Sequence, residues 1–314
     1  MKVLITGGAG NIGISLVENL IKADIEVAIF DLEEQIEINK NRINSQTELN
    51  AGSILDESDI SNAIKNCTHV VHLAAALGVS NTEANKKNCL DINIIGTRNI
   101  LDAAANEGVL KFLFASSSET YGEPLKTPIS EDSITQGKTV YAVSKLAGEE
   151  FVKAYSQKYT SMKYSILRFF NVFGPNQVGQ FVISKFIQNA KDNKPIIING
   201  DGNQERAYCY VDDAIEGLML ALESEKANGE VINIGNPNNL TSINELAHMI
   251  CKILNIDSSI IQNDPNFKNT DRKHEREIFI RYPEISKAKS LLNYQPKVGL
   301  EEALKIVIEK SSNI

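Results

Sequence analysis

Apolar runs that alternate with amphipathic stretches predict an α/β fold: a doubly wound parallel sheet with a smaller, discontinuous α/β lobe. Three observations carry that expectation. Residues 1–6 are apolar and β-branched, break into Gly7-Gly8-Ala9-Gly10-Asn11-Ile12-Gly13, and resume with Ile14, Val17, Leu20 and Ile21 on one helical face. Thr68–Ala76 and Leu110–Ala115 are nearly continuous apolar runs, the pattern of parallel strands covered on both faces. From Asn171 onward prolines and glycines break the rhythm, which marks the smaller lobe.

The opening strand, glycine turn and helix form the Rossmann-type arrangement that holds a dinucleotide pyrophosphate. Glycines let the backbone turn tightly and approach the phosphates, and the helix start offers free N–H groups. The glycines are spaced three and three, at Gly7, Gly10 and Gly13. Glu26–Phe30 reads as the second strand and ends at Asp31. That carboxylate stands about twenty residues past the turn, where an acid accepts both adenosine ribose hydroxyls and repels a 2′-phosphate. NAD is therefore expected rather than NADP.

Residues 32–50 are polar, with no clear period. Leu49–Ile54 holds a short strand and Asp56–Lys65 a helix. Thr68–Ala76 is the next strand, and the alanines at its end leave room for a flat ligand. Residues 88–107 fit a helix with Leu90, Ile94, Ile100, Leu101 and Ala104 inward. Leu110–Ala115 is a strand that runs into Ser116-Ser-Ser-Glu-Thr-Tyr-Gly122, and Ser161–Phe170 supplies another. Beyond it, Phe181–Ala190 reads as a helix and Pro195–Asn199 as a strand. Val211–Glu223 is an amphipathic helix, and Glu230–Ile234 a strand that returns to the main sheet. Thr241–Leu254 is a helix capped by Thr241 or Ser242, with Glu245 near capping-box distance. The expected division is a dinucleotide-binding domain over 1–170, with 205–235 returning to it, and a substrate lobe from 171–204 and 236–314.

Charge and composition narrow the function classes. The net charge is −8 and no basic block stands out, which argues against a nucleic-acid surface. No apolar run is long enough to span a bilayer and no signal-like segment opens the chain, so no membrane partner and a cytoplasmic location are expected. Cys67, Cys89, Cys209 and Cys251 are widely spaced and expected reduced. His69, His72, His248 and His274 make no ligand spacing, so no metal is expected.

The most informative pair is Tyr141 and Lys145. Four residues apart on a helix, their side chains leave the same face. A lysine ammonium there, beside a cationic nicotinamide ring, favours the phenolate and lowers the tyrosine pKa, which makes a general base. A surface tyrosine stacked on a lysine stem leaves the same pattern. The surrounding set favours the site: glycine turn, acid after the second strand, serine-rich strand end, then Tyr and Lys.

With these motifs the chain resembles the extended short-chain dehydrogenase/reductases, specifically the nucleotide-sugar epimerases, dehydratases and decarboxylases. The resemblance runs over essentially the whole length. It is carried by Thr6–Gly13, His72–Ala76, Asn93–Thr97, Ser116–Gly122, Tyr141–Lys145, Arg168–Pro175, Arg206–Asp213 and Ile232–Asn236. Two positions depart: Asn11 replaces the usual aromatic, and Ser53 stands where the family often has an Asp near the adenine. The resemblance implies cofactor contacts at Gly7, Gly10, Asn11, Ile12, Asp31, Ser53, Ile54, Leu73, Ala74, Ala75, Asn93, Tyr141, Lys145 and Phe170. It implies substrate contacts at Ser117, Ser118, Tyr141, Asn171, Arg206 and Arg281, and catalytic roles for Ser117, Tyr141, Lys145 and Glu119. It also implies a homodimer built on the helices from about Asp91 and from Tyr141.

The shared chemistry is oxidation of the sugar C4 hydroxyl to a 4-keto intermediate, with the NAD regenerated in each cycle. Dehydratases carry Asp-Glu after the catalytic Ser or Thr; this chain has Ser118-Glu119, which disfavours dehydration. Ser-Glu and the late Arg281-Tyr-Pro-Glu-Ile-Ser resemble UDP-glucuronate decarboxylases, whereas His72-Leu-Ala-Ala-Ala76 looks like the epimerase version. The expectation is an NAD-dependent nucleotide-sugar 4-epimerase acting on a substrate that is UDP-linked. Decarboxylase is the alternative, then 4,6-dehydratase or 4-ketoreductase, and a dinucleotide-sensing regulator is the non-enzyme reading. The role of the basic cluster Arg272, Lys273 and Arg276 stays open.

Overall fold

The structure, a computed structural model, describes residues 1–175, 177, 181–265 and 278–310, without the side chains of Val79 and Ser80. The chain opens with β1 (Lys2–Thr6), α1 (Asn11–Lys22), β2 (Glu26–Asp31), α2 (Glu33–Asn39), β3 (Glu48–Ala51), α3 (Glu57–Ala63) and β4 (His69–His72). Three helices follow: α4 (Val79–Ala84), α5 (Lys86–Leu90) and α6 (Thr97–Glu107). Then come β5 (Lys111–Ser117), the long α7 (Val140–Lys158) and β6 (Lys163–Phe169). The next stretch holds β7 (Val172–Phe173), α8 (Val182–Lys191), β8 (Ile196–Asn199), β9 (Glu205–Ala207) and β10 (Cys209–Tyr210). After α9 (Val211–Glu223) and β11 (Glu230–Ile234) the chain makes β12 (Leu240–Ser242), α10 (Ile243–Leu254), β13 (Ile261–Asp264), β14 (Ile280–Arg281), α11 (Ser286–Leu292) and α12 (Leu300–Lys310).

Seven strands form one sheet in the order β11-β6-β5-β4-β1-β2-β3. Every pair in it is parallel. The winding reverses between β1 and β4, and a crevice for ligands opens at the carboxyl ends of strands at such a point. Side chains alternate between the faces. Val3, Ile5, Val71, Leu113 and Leu167 join the core on one face, while Leu4, Val70, Phe112, Phe114 and Ile166 join the core on the other. The first core runs on without a break into Phe186, Ile250 and Leu304 of α8, α10 and α12. The second lies under α3, α6 and α7.

The smaller sheets pair β10 with β7, β13 with β8, and β9 with both β12 and β14. Of residues 205–235, therefore, α9 and β11 join the large sheet, while β9 and β10 belong to the small ones. Ser242 caps α10 with a full capping box: the Glu245 N–H donates to Ser242 Oγ at 3.1 Å, and Glu245 Oε2 accepts the Ser242 N–H at 2.9 Å.

The structure departs from the sequence expectations at three places. α2 lies in the stretch read as aperiodic; it buries only Ile36, which is too little to print a period. The fourth strand ends at His72, because the alanines after it leave the sheet. Leu90, expected inward, is exposed, as is Ile95. Between α5 and α6, residues Asp91–Gly96 coil as a wider π-type turn, and that extra width rotates the following face out of the simple helical period. Among the described residues no helix is long and apolar enough to cross a membrane.

Candidate active site

The glycine turn is built so that side chains cannot enter it. Gly7 has φ +70°, and a Cβ there would lie 2.7 Å from the Ala74 backbone nitrogen. A Cβ on Gly13 would lie 2.5 Å from Gly8 O. Gly10 is the N-cap of α1 and provides no side-chain cap, so the first N–H groups of the helix face the crevice uncapped by a side chain. Asp31 closes the turn from the side: its Oδ2 accepts the Ala9 N–H at 3.0 Å and its Oδ1 the Leu32 N–H at 2.8 Å. Its pKa is raised by burial, an effect the Leu32 and Ala9 N–H groups offset only in part. Such a cradle, with an acid fixed beside it, fits a dinucleotide. Asn11 and Ile12 are partly exposed at its rim.

The next wall is the stretch 73–76. Leu73, Ala74 and Ala75 are partly exposed. Their backbone is pinned at both ends: the Leu73 N–H donates to Thr6 O at 3.0 Å, and the Ala76 N–H to Asn93 Oδ1 at 2.7 Å. Asn93 is itself buried and donates to Ala76 O at 3.0 Å and Ser144 Oγ at 2.9 Å, so it shapes the wall rather than forming its surface. His72, which sequence reasoning set aside, lies behind. Thr97 Oγ1 donates to Asn93 O, which leaves it to accept from His72 Nε2–H at 3.0 Å; Nδ1 then accepts from Thr6 Oγ1 at 2.6 Å. Burial and the Lys145 charge push the His72 pKa down to about 3 and keep the ring neutral.

Ile54 is buried against Gly96, where a Cβ would lie 2.5 Å from Ile54 Cδ1. Ser53 is partly exposed; its N–H donates to Asp59 Oδ2 at 3.2 Å and its Oγ accepts from Leu55 N–H at 3.2 Å. Asp59 escaped notice in the sequence because it sits in the exposed first turn of a short helix.

Tyr141 and Lys145 lie in the first two turns of α7, which Thr139 caps by accepting the Ala142 N–H at 3.1 Å. The buried Lys145 Nζ donates to Ala115 O at 2.8 Å and stands 5.9 Å from the centre of the Tyr141 ring. Burial lowers its pKa to about 8. Ser117, at the end of β5, stands beside Tyr141 and draws its pKa down. That pKa is nonetheless raised, contrary to expectation. Burial is the main cause and the Glu119 carboxylate the next, with Ser117 and Arg281 acting in the other direction. The expected lowering invoked the Lys145 ammonium together with a cationic nicotinamide; here Lys145 is committed to a backbone carbonyl.

Two implied contacts are sealed: Ser118 is 2% exposed, and Phe170 is fully buried against Tyr121 with ring centres 6.1 Å apart. On the far side of Tyr141, residues from distant stretches converge. Asn171, at φ 41° just after β6, donates to Ala207 O at 3.0 Å and accepts from Arg281 Nη2 at 3.0 Å. Arg281 Nη1 lies 3.6 Å from Glu119 Oε1, and Thr139 Oγ1 donates to Glu119 Oε2 at 3.4 Å. Arg206 stands opposite Arg281 in the β9–β14 pair and donates to the carbonyls of Glu205 and Phe279 at 2.8 and 3.2 Å. Glu119, Asn171 and Arg281 are thus joined side chain to side chain, Ser117 and Lys145 stand beside Tyr141, and Arg206 lies next to Arg281 in the neighbouring strand. Arg272, Lys273 and Arg276 lie outside the described residues.

Comparison with known proteins adds four observations of kinship. The model of the NAD dependent epimerase/dehydratase family matches residues 3–235. A putative UDP-glucose 4-epimerase of Methanocaldococcus jannaschii is 36% identical over 99% of this chain and 98% of its own length. A UDP-N-acetyl-alpha-D-glucosaminuronate decarboxylase of Bacillus cytotoxicus is 34% identical over 98% of this chain and 97% of its own. Among solved structures, UDP-glucuronic acid 4-epimerase from Bacillus cereus in complex with UDP-glucuronic acid and NAD superposes with a TM-score of 0.90. It is 31% identical and covers 100% of this chain and 99% of that one.

Proposed function

The chain belongs to the NAD dependent epimerase/dehydratase family, and from that premise we propose that it is a UDP-sugar 4-epimerase working through a transient 4-keto intermediate. The observation that carries the reading is Tyr141 beside Ser117, with Lys145 one helical turn on and 5.9 Å from its ring, in a chain that opens with the glycine cradle. Gly7, Gly10 and Ile12 hold the pyrophosphate of NAD, Asp31 the adenosine ribose, Ile54 the adenine, and Lys145 the nicotinamide ribose. NAD supplies the acceptor and later the donor of hydride at C4. Ser117 holds the C4 hydroxyl, and Tyr141 takes its proton and returns it to the same oxygen once the keto sugar has presented its other face, so that C4 is inverted by hydride and not by the proton. Asn171, Arg206 and Arg281 bind the diphosphate and nucleoside, a task suited to guanidinium forks. Residues 171–204 and 236–314 form the lobe that recognises the sugar nucleotide.

An uncharged hexose suits the pocket, because Glu119 already balances Arg281. The same pair favours one second reading, decarboxylation of a UDP-uronate. There the carboxylate and guanidinium would position the departing CO₂ and handle a proton.

Proton NMR of the protein with NAD⁺ and either UDP-glucose or UDP-glucuronate separates the two. A UDP-galactose or UDP-galacturonate anomeric signal is the expected result. A UDP-pentose with new C5 methylene signals would overturn it in favour of decarboxylation. Tyr141→Phe should abolish turnover and leave NAD⁺ binding by calorimetry intact; a regulator that only senses the dinucleotide would lose nothing.

A further inference from the structure

We infer that Asn233 is a positioning residue that sets Arg281 against Glu119, by hydrogen bonds to both of the segments that carry them. The inference rests on the reading of Glu119 and Arg281 as groups facing the substrate.

Asn233 lies in β11 between Ile232 and Ile234, and all three are fully buried. A polar side chain in that setting is costly unless each of its hydrogen-bonding groups is used. Here they are. Oδ1 accepts from the Tyr121 hydroxyl at 2.7 Å, and Nδ2 donates to Ile129 O at 3.0 Å and Glu284 O at 3.3 Å. The backbone N–H of the same residue donates to Glu131 Oε1 at 2.8 Å.

The partners are what give the cluster meaning. Tyr121 ends the short turn Ser118–Tyr121, two residues past Glu119. Glu284 stands three residues past Arg281. Ile129 ties the second of these segments a further time: its N–H donates to Tyr282 O at 3.0 Å, and its carbonyl accepts the Glu284 N–H at 2.8 Å. One amide therefore holds the Glu119 segment by its oxygen and the Arg281 segment by its nitrogen. Only a side-chain amide of this length offers that acceptor and those two donors together.

Arg281 depends on such an anchor. Its own strand, β14, is two residues long and among the described residues pairs with Glu205 and Arg206 alone. Its side chain is held by Asn171 and Glu119, while its buried Nε has no hydrogen-bond partner among the described residues. A small displacement of residues 282–284 would carry the guanidinium away from Glu119.

The test is a double-mutant cycle between Asn233 and Arg281, read in two ways. Asn233→Leu removes all three side-chain bonds at similar volume. Tyr121→Phe removes one of them and keeps the ring, so it carries the test should the Asn233 variant fail to fold. With UDP-glucose as substrate, Asn233→Leu should raise KM roughly tenfold and Tyr121→Phe about threefold, the scale of lost buried hydrogen bonds. NAD⁺ affinity should change by less than about twofold, because the dinucleotide cradle is built by other strands. In an Arg281→Ala background the same changes should add less than about twofold to KM. Equal losses in both backgrounds would show a general loss of packing and overturn the inference.

The second readout needs no substrate. In protein labelled with ¹⁵N-arginine, the Nε–H signal that Arg281→Ala removes should shift and exchange faster in Asn233→Leu and Tyr121→Phe. An unmoved signal in folded variants would overturn the inference even if the protein turns over no sugar nucleotide, an outcome that would separately overturn the functional reading.

Discussion

At the scale of single residues, Glu119 adds its charge to the burial that governs Tyr141. It is the second cause, after burial, of the raised tyrosine pKa. Replacing it with Gln removes a negative neighbour, so the phenol should ionise at lower pH. Where Tyr141 must act as a base, the rising limb of the pH profile of kcat/KM in Glu119→Gln should move to lower pH, by about one unit if the charge acts at short range. Unchanged turnover and an unmoved limb would remove Glu119 from the site. Tyr141, Lys145 and Asp31 stood out in the sequence by residue type and local spacing, and Ser117 and Arg281 through the family resemblance; the structure sets Ser117 and Lys145 beside Tyr141, and Arg281 against Glu119. Asn233 and His72 were not assigned roles. Their partners are backbone groups and hydroxyls from strands and loops far away in sequence, and nothing in the spacing announces them.

Elements were legible to the extent that burial prints a period. β1 and β2 read as continuous apolar runs because both of their faces are covered, and α1 repeats cleanly because it packs one face on the sheet. α2 buries one residue, and α11 and α12 close the chain without having been anticipated. Residues 91–96 show how a local change of pitch defeats a periodic reading while serving the site, since that same wider turn presents Asn93 to the 73–76 wall. The glycine turn has the sharpest test. Gly7→Ala would put a side chain at φ +70° and against the Ala74 backbone. A left-handed non-glycine residue costs about 1–2 kcal/mol before the clash is counted. NAD⁺ affinity by calorimetry should therefore fall at least about tenfold in Gly7→Ala; retention of full affinity would mean that the turn can open without loss.

For the whole molecule, the large parallel sheet follows from the alternation of strands and helices, though its strand order does not, and of the small lobe the helices α8 and α10 and the strand at 195–199 were legible but the pairing was not. Its strands are two to four residues long and pair across long sequence gaps, so no single stretch carries its pattern. Exposed Leu90, Ile95 and Val143 lie on the helical layer formed by α5 to α7. We propose that a second copy covers this face, as the family resemblance implies. Sedimentation should give a dimer for the native chain and a monomer for Val143→Glu; a native monomer at micromolar concentration would overturn that assignment. The order of the sheet has one more consequence, felt while the chain is being made. β6 sits inside the sheet only because β11 pairs with its outer edge. During synthesis β6 is complete long before Glu230–Ile234 emerges, and in that interval an apolar strand stands with its hydrogen-bonding edge open to any neighbour. A fragment ending at residue 170 should aggregate through that edge, and one extended through residue 235 should be markedly less prone to it, as light scattering on the two fragments would record.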